Sequence, residues 1–234
     1  AKKDLIRKKT GYPGMEIHKS GEVEYLTFPA LERFNIVTHM VTSRFGGVSI
    51  GDCASFNFSY ARDTSREAVD ENFRRAAGVF GTTLDAFVCS DQTHTTNIRR
   101  VEKEDAGKGV TKEKDYRDVD GLITNVPGLI LGTFYADCVP LLFVDPVHHA
   151  IGCSHSGWRG TVGEMGKKTV EAMREAYGSR PEDIFAAIGP SICQDCYEVG
   201  KDVAEPFEKL FSQERYQDVS LKNIMTEKVN GKYQ

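Results

Sequence analysis

The chain has 234 residues, of which 40% are hydrophobic and 10% aromatic, so it is long enough to bury a substantial core within a single domain. Its formal net charge of −4 argues against a general nucleic-acid binder, because such proteins carry a basic face. No apolar run approaches membrane-spanning length, and no signal-peptide core follows the basic start AKKDLIRKK. We therefore expect one cytoplasmic domain over residues 1–234 that acts on small molecules, with neither a nucleic-acid nor a membrane partner.

Short apolar runs and amphipathic stretches follow one another along the chain. The runs predict strands at residues 23–28, 36–42, 86–89 and 184–188, and another at 129–134 that we expect to join the hairpin described below. Helical spacing predicts helices at residues 65–77, after Asp63 and Thr64, at 160–177, where Gly178 ends the helix, and at 202–211. This pattern predicts an α+β fold with mixed, largely hairpin-built sheets flanked by helices in layers.

The segment FYADCVPLLFVDPVHHAIGCSHSGWRG carries the most chemistry. Residues 139–144 and 149–154 flank an Asp-Pro turn, which indicates an antiparallel hairpin. If the turn is symmetric about Pro146 and Val147, Cys138 faces His155. Opposed residues have Cβ atoms about 4.5–5.5 Å apart. From there a thiolate and an imidazole can both reach one zinc ion at roughly 2.0–2.3 Å.

A third ligand is expected from the segment Asp91-Gln92-Thr93-His94, in which His94 follows a predicted strand. A Cys, His, His set with an open fourth position is typical of a catalytic zinc site rather than a structural one. The spacing alone does not bring His94 to the hairpin.

Seven motifs, in order along the chain, together resemble the YfiH-like family, whose members have been called multicopper polyphenol oxidases or laccase-domain proteins. They are SRFGG (43–47), FNFS (56–59), DQTH (91–94), DGLIT (120–124), ADCVP (136–140), HSGWRG (155–160) and GPSICQDCYEVG (189–200). Relatives continue with a further cysteine-containing segment and an arginine-rich end, whereas this sequence stops at Gln234. We expect either a truncated sequence or a disordered last part.

The resemblance implies that His94, Cys138 and His155 are the zinc ligands and line the active site. It also implies a layered fold similar to that of toxin-deamidase-like cysteine hydrolases. The activities associated with the family are the phosphorolysis of adenosine, inosine, guanosine and methylthioadenosine and the deamination of adenosine. The expected partners are therefore purine nucleosides and inorganic phosphate, and the expected cofactor is Zn²⁺, with copper as the second candidate.

Two arginines are candidates for binding an anionic substrate group. Arg159 adjoins Gly160 at the expected N-terminus of the long helix, where backbone N–H groups favour an anion. Arg44 lies beside Gly46 and Gly47, where the backbone can approach a ligand closely. For the proton shuttle that deamination needs, the sequence leaves three carboxylates without a ranking, namely Asp91, Asp120 and Glu198.

Three other functions fit parts of the pattern. Cys138 activated by His155 would make a metal-independent cysteine hydrolase or amidase, such as one that edits peptidoglycan precursors. Copper-dependent phenol oxidation needs many histidines, and this chain has six. A binding module without turnover is the third alternative. The Cys193-x-x-Cys196 spacing is typical of a zinc or redox pair, but without a second such pair we interpret it as structural or adventitious.

Overall fold

Short strands and helices alternate along the chain. The computed structural model describes residues 14–63, 65–220, 224–228 and 231–234, so the basic start and Thr64 lie outside the described residues. The strands are β1 (Glu16–Ser20), β2 (Val23–Thr27), β3 (Val41–Thr42), β4 (Phe87–Cys89), β5 (Ile98–Arg100), β6 (Gly121–Thr124), β7 (Ile130–Gly132), β8 (Val139–Asp145), β9 (Ala150–Ser156) and β10 (Phe185–Ile188). The α-helices are α1 (Pro29–Glu32), α2 (Arg66–Val79), α3 (Trp158–Val162), α4 (Met165–Tyr177) and α5 (Lys201–Phe211).

The described strands form three sheets. The largest has the order β10-β8-β9-β6-β5, in which only β5 and β6 are parallel. A second sheet is the antiparallel set β1-β2-β3, and a third is the parallel pair β4-β7. The predicted mixture of several sheets with helices is confirmed, although the β4-β7 and β5-β6 pairs are parallel and not hairpins. The similarity to toxin deamidases stays a prediction.

The hairpin of β8 and β9 exists, but its predicted register is wrong by two residues. Pro140, not Cys138, is opposite His155, and Val139 is opposite Ser156. One further step of this register places Cys138 opposite Gly157. A shift of one residue would have moved every side chain to the other face of the sheet, whereas a shift of two leaves each on its own face. Cys138 and His155 therefore still share a face.

The hairpin loop explains the error. Asp145 pairs with Ala150, so the loop comprises the four residues 146–149 and is centred later than predicted. The buried Asp145 carboxylate accepts hydrogen bonds from the backbone N–H groups of Val147 (2.8 Å) and His148 (3.1 Å), and its other oxygen lies 2.8 Å from His148 Nδ1. His149 then takes a left-handed conformation, with φ of 50°. The aspartate thus closes a longer turn than the sequence alone indicates.

Three other elements differ from their predictions. The strand expected at 36–42 is reduced to Val41–Thr42. The strand expected at 129–134 does not join the hairpin, because β7 pairs in parallel with β4. The helix expected over 160–177 is divided, since Glu164 has a φ of 58° between α3 and α4. Arg159 therefore lies inside the five-residue α3 and not at the start of the long helix.

Helix α4 packs against the largest sheet through its buried face. Met165 and Met173 are fully buried there, and Thr169 donates a hydrogen bond to Met165 O while its hydroxyl lies 2.8 Å from that of Ser154. Gly178 ends this helix with a φ of 77°, as predicted. In the described part of the chain, no helix is both long and apolar enough to cross a membrane.

We expect Asp145→Ala to lower the free energy of unfolding by about 1–3 kcal/mol, because it leaves loop N–H groups without an acceptor. Urea unfolding measures this, and Asp145→Asn, which keeps an acceptor oxygen, should retain most of the stability. Burial raises the pKa of Asp145, but its hydrogen bonds outweigh burial and lower it. The advantage of wild type over the alanine variant is therefore present above pH 4 or so and is lost as the pH falls through the lowered pKa. An equal loss in both variants would contradict this account.

Candidate metal centre

Three side chains from separate parts of the chain converge on one point. His94 lies in the loop between β4 and β5, Cys138 directly precedes β8, and His155 lies in β9. One ligand atom from each falls within 4.8 Å of the others, and Cys138 Sγ is 3.9 Å from His94 Nε2. His155 is buried, Cys138 is half-buried and His94 is exposed. The group is therefore open to solvent on the side of His94.

His155 is held by Asp120. Its Nδ1 lies 2.8 Å from an Asp120 carboxylate oxygen, and its backbone N–H donates to the Asp120 carbonyl oxygen at 2.8 Å. A carboxylate at Nδ1 favours the tautomer with the proton there, which leaves Nε2 as the ligand atom. This arrangement, in which a histidine ligand donates its second N–H to a carboxylate, is the usual support of a protein metal site.

The same carboxylate also shapes the loop that carries His94. Asp120 accepts hydrogen bonds from the backbone N–H groups of Thr93 (3.1 Å), His94 (3.1 Å) and Thr95 (2.8 Å), and from the Thr95 hydroxyl (2.8 Å). The loop winds around the oxygens, and His94 has a left-handed φ of 65°. Burial raises the pKa of Asp120, but these hydrogen bonds and the one with His155 outweigh it, so the pKa is lowered. Asp120 is thus a buried anion that orients both histidines.

The Gln92 side chain fixes the loop to the segment that leads to Cys138. Its amide donates to the Phe134 carbonyl oxygen and accepts from the Phe134 backbone N–H, both at 2.7 Å. Ser90 Oγ donates to the same amide oxygen at 2.6 Å. Because Phe134 is four residues before Cys138, these bonds hold the loop that carries His94 against the segment that leads to Cys138 and β8.

Gly157 forms the wall behind the ligands. A Cβ atom at this position would lie 2.9 Å from His94 Cδ2 and 3.0 Å from Cys138 Sγ, so a side chain here would force His94 and Cys138 to shift. The residue before Cys138 is fixed as well, since Ile192 N donates to the Asp137 carbonyl oxygen at 3.0 Å. The Cys138 thiol therefore lies against the bare backbone of Gly157, and the adjacent main chain is tied to the segment after β10.

The protonation of the group fits a bound cation. Burial raises the pKa of the Cys138 thiol, and the charges of Asp137 and Asp120 raise it further. Burial lowers the pKa of His155, which outweighs the effect of Asp120 and keeps the imidazole neutral. A neutral imidazole is the form that binds metal, and a metal cation would favour the thiolate. The three donor side chains and their close approach to the backbone of Gly157 thus fit a metal ion.

The two predicted anion-binding arginines are in different situations. The Arg44 guanidinium is occupied by the Ala54 carbonyl oxygen, to which it donates twice, at 2.5 and 3.2 Å. The Arg159 guanidinium lies 4.2 Å from the centroid of the Trp158 ring. Burial and, to a smaller extent, the charge of Cys138 raise the pKa of the Tyr197 phenol. The nearby Arg159 guanidinium partly opposes this rise. Arg159 and Cys138 therefore both lie within electrostatic range of Tyr197, whereas no described contact links Arg44 to the centre.

Two of the three carboxylates considered as proton shuttles are engaged elsewhere. Asp91 forms an ion pair with Lys114, and Glu198 lies 3.2 Å from Lys228 Nζ. The sequence does signal the position of Asp120, which directly precedes the buried run of β6, but not its contact with two histidines. The roles of Gln92 and Gly157 were not foreseen, because both depend on contacts between segments that are distant in sequence.

Comparison with known proteins places the chain among relatives of similar fold. The family model described as "Multi-copper polyphenol oxidoreductase laccase" matches residues 38–233. A protein of Deinococcus radiodurans named "Purine nucleoside phosphorylase" is 41% identical over 180 residues, which are 76% of this chain and 66% of that protein. "Adenosine deaminase RL5", from an unknown prokaryotic organism, is 33% identical over 216 residues, which are 89% of this chain and 78% of that protein.

A solved structure has a similar fold. The Bacillus licheniformis hypothetical protein YfiH superposes with a TM-score of 0.80 at 30% sequence identity, and the match covers 93% of this chain and 78% of that one. The described fold is therefore shared with this protein over nearly the whole chain.

We expect Asp120→Asn to weaken zinc binding by about 10–100-fold, the usual effect of removing an outer partner of a metal ligand. The amide keeps one acceptor oxygen but cannot serve His155 and three backbone N–H groups together. Competition with a chromophoric zinc chelator measures the affinity. The matched control is Asp118→Asn, an exposed aspartate whose side chain accepts from Thr93 Oγ1 and contacts no ligand. Equal affinities for both variants would show that Asp120 does not orient the site.

Proposed function

The chain belongs to the family described as multi-copper polyphenol oxidoreductase laccase, and from this premise we propose that it is a zinc-dependent enzyme acting on purine nucleosides. Relatives named as a purine nucleoside phosphorylase and an adenosine deaminase support this substrate class. The observation that carries the proposal is the His94, Cys138 and His155 group, with its two histidines oriented by one buried carboxylate.

Zinc is the proposed metal because of the donor set. One thiolate and two imidazoles leave a fourth position free in a tetrahedral site, as in catalytic zinc centres. A multicopper oxidase would need several copper centres, whereas the described residues form one group of three or more clustered metal-binding side chains. The open side at His94 would then receive the substrate.

The proposed reactions are phosphorolysis of adenosine, inosine, guanosine and methylthioadenosine and deamination of adenosine. A zinc ion held by these residues would supply a Lewis acid that polarises a substrate atom and lowers the pKa of water. Phosphorolysis replaces the bond from C1′ to the base by a bond to phosphate, and deamination replaces the C6 amino group by oxygen. In either reaction the task of Asp120 is to hold the proton at His155 Nδ1. Because Asp120 is fully buried and accepts five hydrogen bonds, we assign it to positioning and not to proton transfer.

Arg159 is the proposed contact for the anionic group of the substrate. Arg159 is exposed, its guanidinium lies against the Trp158 ring, and it is within electrostatic range of Tyr197. A planar guanidinium can bind phosphate with two parallel hydrogen bonds. Arg44 remains the second candidate, with its guanidinium already hydrogen-bonded to a backbone carbonyl.

A cysteine hydrolase is the second candidate function, in keeping with the implied likeness to toxin deamidases. The hydrogen bond between Asp120 and His155 is the support that a Cys-His-Asp triad requires. Two observations weigh against it. The pKa of Cys138 is raised rather than lowered, and the hydrogen-bonding contact of its thiol is with His94. A triad of Cys138, His155 and Asp120 also gives His94 no task.

The test is incubation of the zinc-loaded protein with adenosine and phosphate, followed by chromatographic separation of the products. Adenine indicates phosphorolysis, inosine indicates deamination, and hypoxanthine indicates both in sequence. We expect Cys138→Ala to reduce either activity by at least about 100-fold, because the zinc ion loses its thiolate. The matched control, Cys53→Ala, removes a half-buried thiol outside the metal group and should leave turnover unchanged.

Three results would count against the proposal. The absence of product from folded, zinc-loaded protein would exclude purine nucleoside chemistry. Activity that survives complete removal of zinc by a chelator but not Cys138→Ala would favour the cysteine hydrolase. Turnover of phenols that depends on copper would restore the oxidase.

We expect Arg159→Ala to raise the KM for phosphate by roughly 10–100-fold, which corresponds to one charge-assisted hydrogen bond of about 1.5–3 kcal/mol. The KM for the nucleoside should change less. Steady-state kinetics with phosphate as the varied substrate measures the effect, and Arg174→Ala, which alters an arginine on the exposed side of α4, is the control. An unchanged KM in Arg159→Ala and a raised one in Arg44→Ala would assign the anion to Arg44.

A further inference from the structure

A pair of exposed cysteines lies in the segment that follows β10. All six cysteines are in the described part of the chain and each is a thiol, but only Cys193 and Cys196 are exposed. Cys193 directly precedes the short 3₁₀ turn Gln194–Cys196, Cys196 is the last residue of that turn, and Tyr197 follows it. Sequence spacing alone left this pair without a role, and its position in the fold supplies one.

The turn holds the two cysteines at a distance that a disulfide can span. Cys196 N donates to the Cys193 carbonyl oxygen at 3.0 Å, so the cysteines occupy the first and last positions of a hydrogen-bonded turn. Such a turn keeps its terminal Cα atoms within about 7 Å of each other. A disulfide needs a Cα separation of roughly 4.4–6.8 Å. Closing the bond therefore requires little movement of the backbone.

The reactivity of the pair is unequal. The pKa of Cys193 is lowered, first by a hydrogen bond from the Cys196 side chain and then by one from its backbone N–H. Cys193 is thus the better attacking thiol, and Cys196 is the thiol that can resolve a mixed disulfide. This division of roles is usual in Cys-x-x-Cys pairs.

A metal site is the less suitable interpretation of the same pair. The group of three or more metal-binding side chains in the described residues is that of His94, Cys138 and His155, and neither Cys193 nor Cys196 belongs to it. Two thiols alone do not complete a tetrahedral zinc site. The geometry of the described chain therefore favours sulfur–sulfur chemistry.

The turn adjoins the candidate metal centre through the residue that precedes it. Ile192 N donates at 3.0 Å to the carbonyl oxygen of Asp137, the residue next to Cys138. Tyr197, which follows the turn, lies within electrostatic range of Cys138. A change within the turn would therefore occur next to a candidate metal ligand.

We propose that Cys193 and Cys196 form a reversible dithiol/disulfide pair that exchanges with low-molecular-weight disulfides and alters access to the metal centre through the bond between Ile192 and Asp137. The Cys193 thiolate attacks one sulfur of the small disulfide, forms a mixed disulfide and releases one small thiolate. The Cys196 thiolate then attacks Cys193 Sγ, closes the intramolecular disulfide and releases the second small thiolate. The two protons of the protein thiols pass to the two released thiolates, and the small disulfide is the oxidant.

Glutathione buffers of fixed reduced-to-oxidised ratio test the first part on the zinc-loaded, full chain. After equilibration, acid quenching and alkylation, peptide mass mapping gives the fraction of Cys193 joined to Cys196. We expect this fraction to rise with the oxidised share and to reverse when reduced glutathione is added. Cys196→Ser should accumulate glutathione on Cys193, because the resolving thiol is gone, whereas Cys53→Ser should behave as wild type. Complete alkylation of both cysteines at every ratio would overturn the pair.

The rate at which a chelator removes zinc tests the link to the metal centre without relying on enzymatic turnover. We expect a several-fold difference in this rate between the disulfide and dithiol forms, and no response to oxidised glutathione in a Cys193→Ser, Cys196→Ser double variant. Equal rates in both forms would overturn the link. An effect on turnover would rest on the proposed function, whereas the mass and metal-release measurements would stand if purine turnover failed. Peptide mapping of Cys138 distinguishes oxidation of the ligand itself from closure of the turn.

Discussion

The buried carboxylate of Asp120 is the constraint on which the candidate centre depends. It is a buried anion with a lowered pKa, and the hydrogen bonds that lower the pKa are also those that place the ligands. Its fivefold acceptance of hydrogen bonds removes the desolvation cost that an unpaired buried carboxylate would carry. The loop that carries His94 has no regular secondary structure, so hydrogen bonds to this carboxylate fix its backbone, whereas the ladder of β9 fixes the backbone of His155. A metal ion would therefore meet ligands already held in place.

The rest of the fold provides rigid mounts for three short, irregular segments. Strand β9 fixes His155, and the clamp between Gln92 and Phe134 fixes the spacing of the His94 loop from the entry to β8. The segment after β10 is tied to the residue before Cys138 through the hydrogen bond between Ile192 and Asp137. Two of the three candidate ligands thus lie in connections, while the third lies in a strand of the rigid scaffold that carries them.

The sequence could predict the elements and the chemistry of the site, but not its three-dimensional closure. The hairpin was predictable from its apolar runs, and its register was not, because the hydrogen bonds of Asp145 determine the loop length. The two-residue error removed the predicted pairing of Cys138 with His155 but left both on one face, since strand side chains repeat every second residue. The division of α3 from α4 depends on a left-handed Glu164, a residue type that gives no warning of it. The prediction that His94 lies near the hairpin came from the family resemblance, because no local pattern encodes a contact between residues 44 positions apart.

The bare backbone at Gly157 has a consequence for how such a site can change over time. Since the wall behind His94 and Cys138 is main chain, there is no side chain in it that substitution could enlarge, shrink or recharge. At Gly157 the site therefore cannot be adjusted by exchanging one side chain for another, which leaves the residues around His94 and the turn before Tyr197 as the places where side chains can change. Diversification among proteins with this centre should accordingly be concentrated at its mouth.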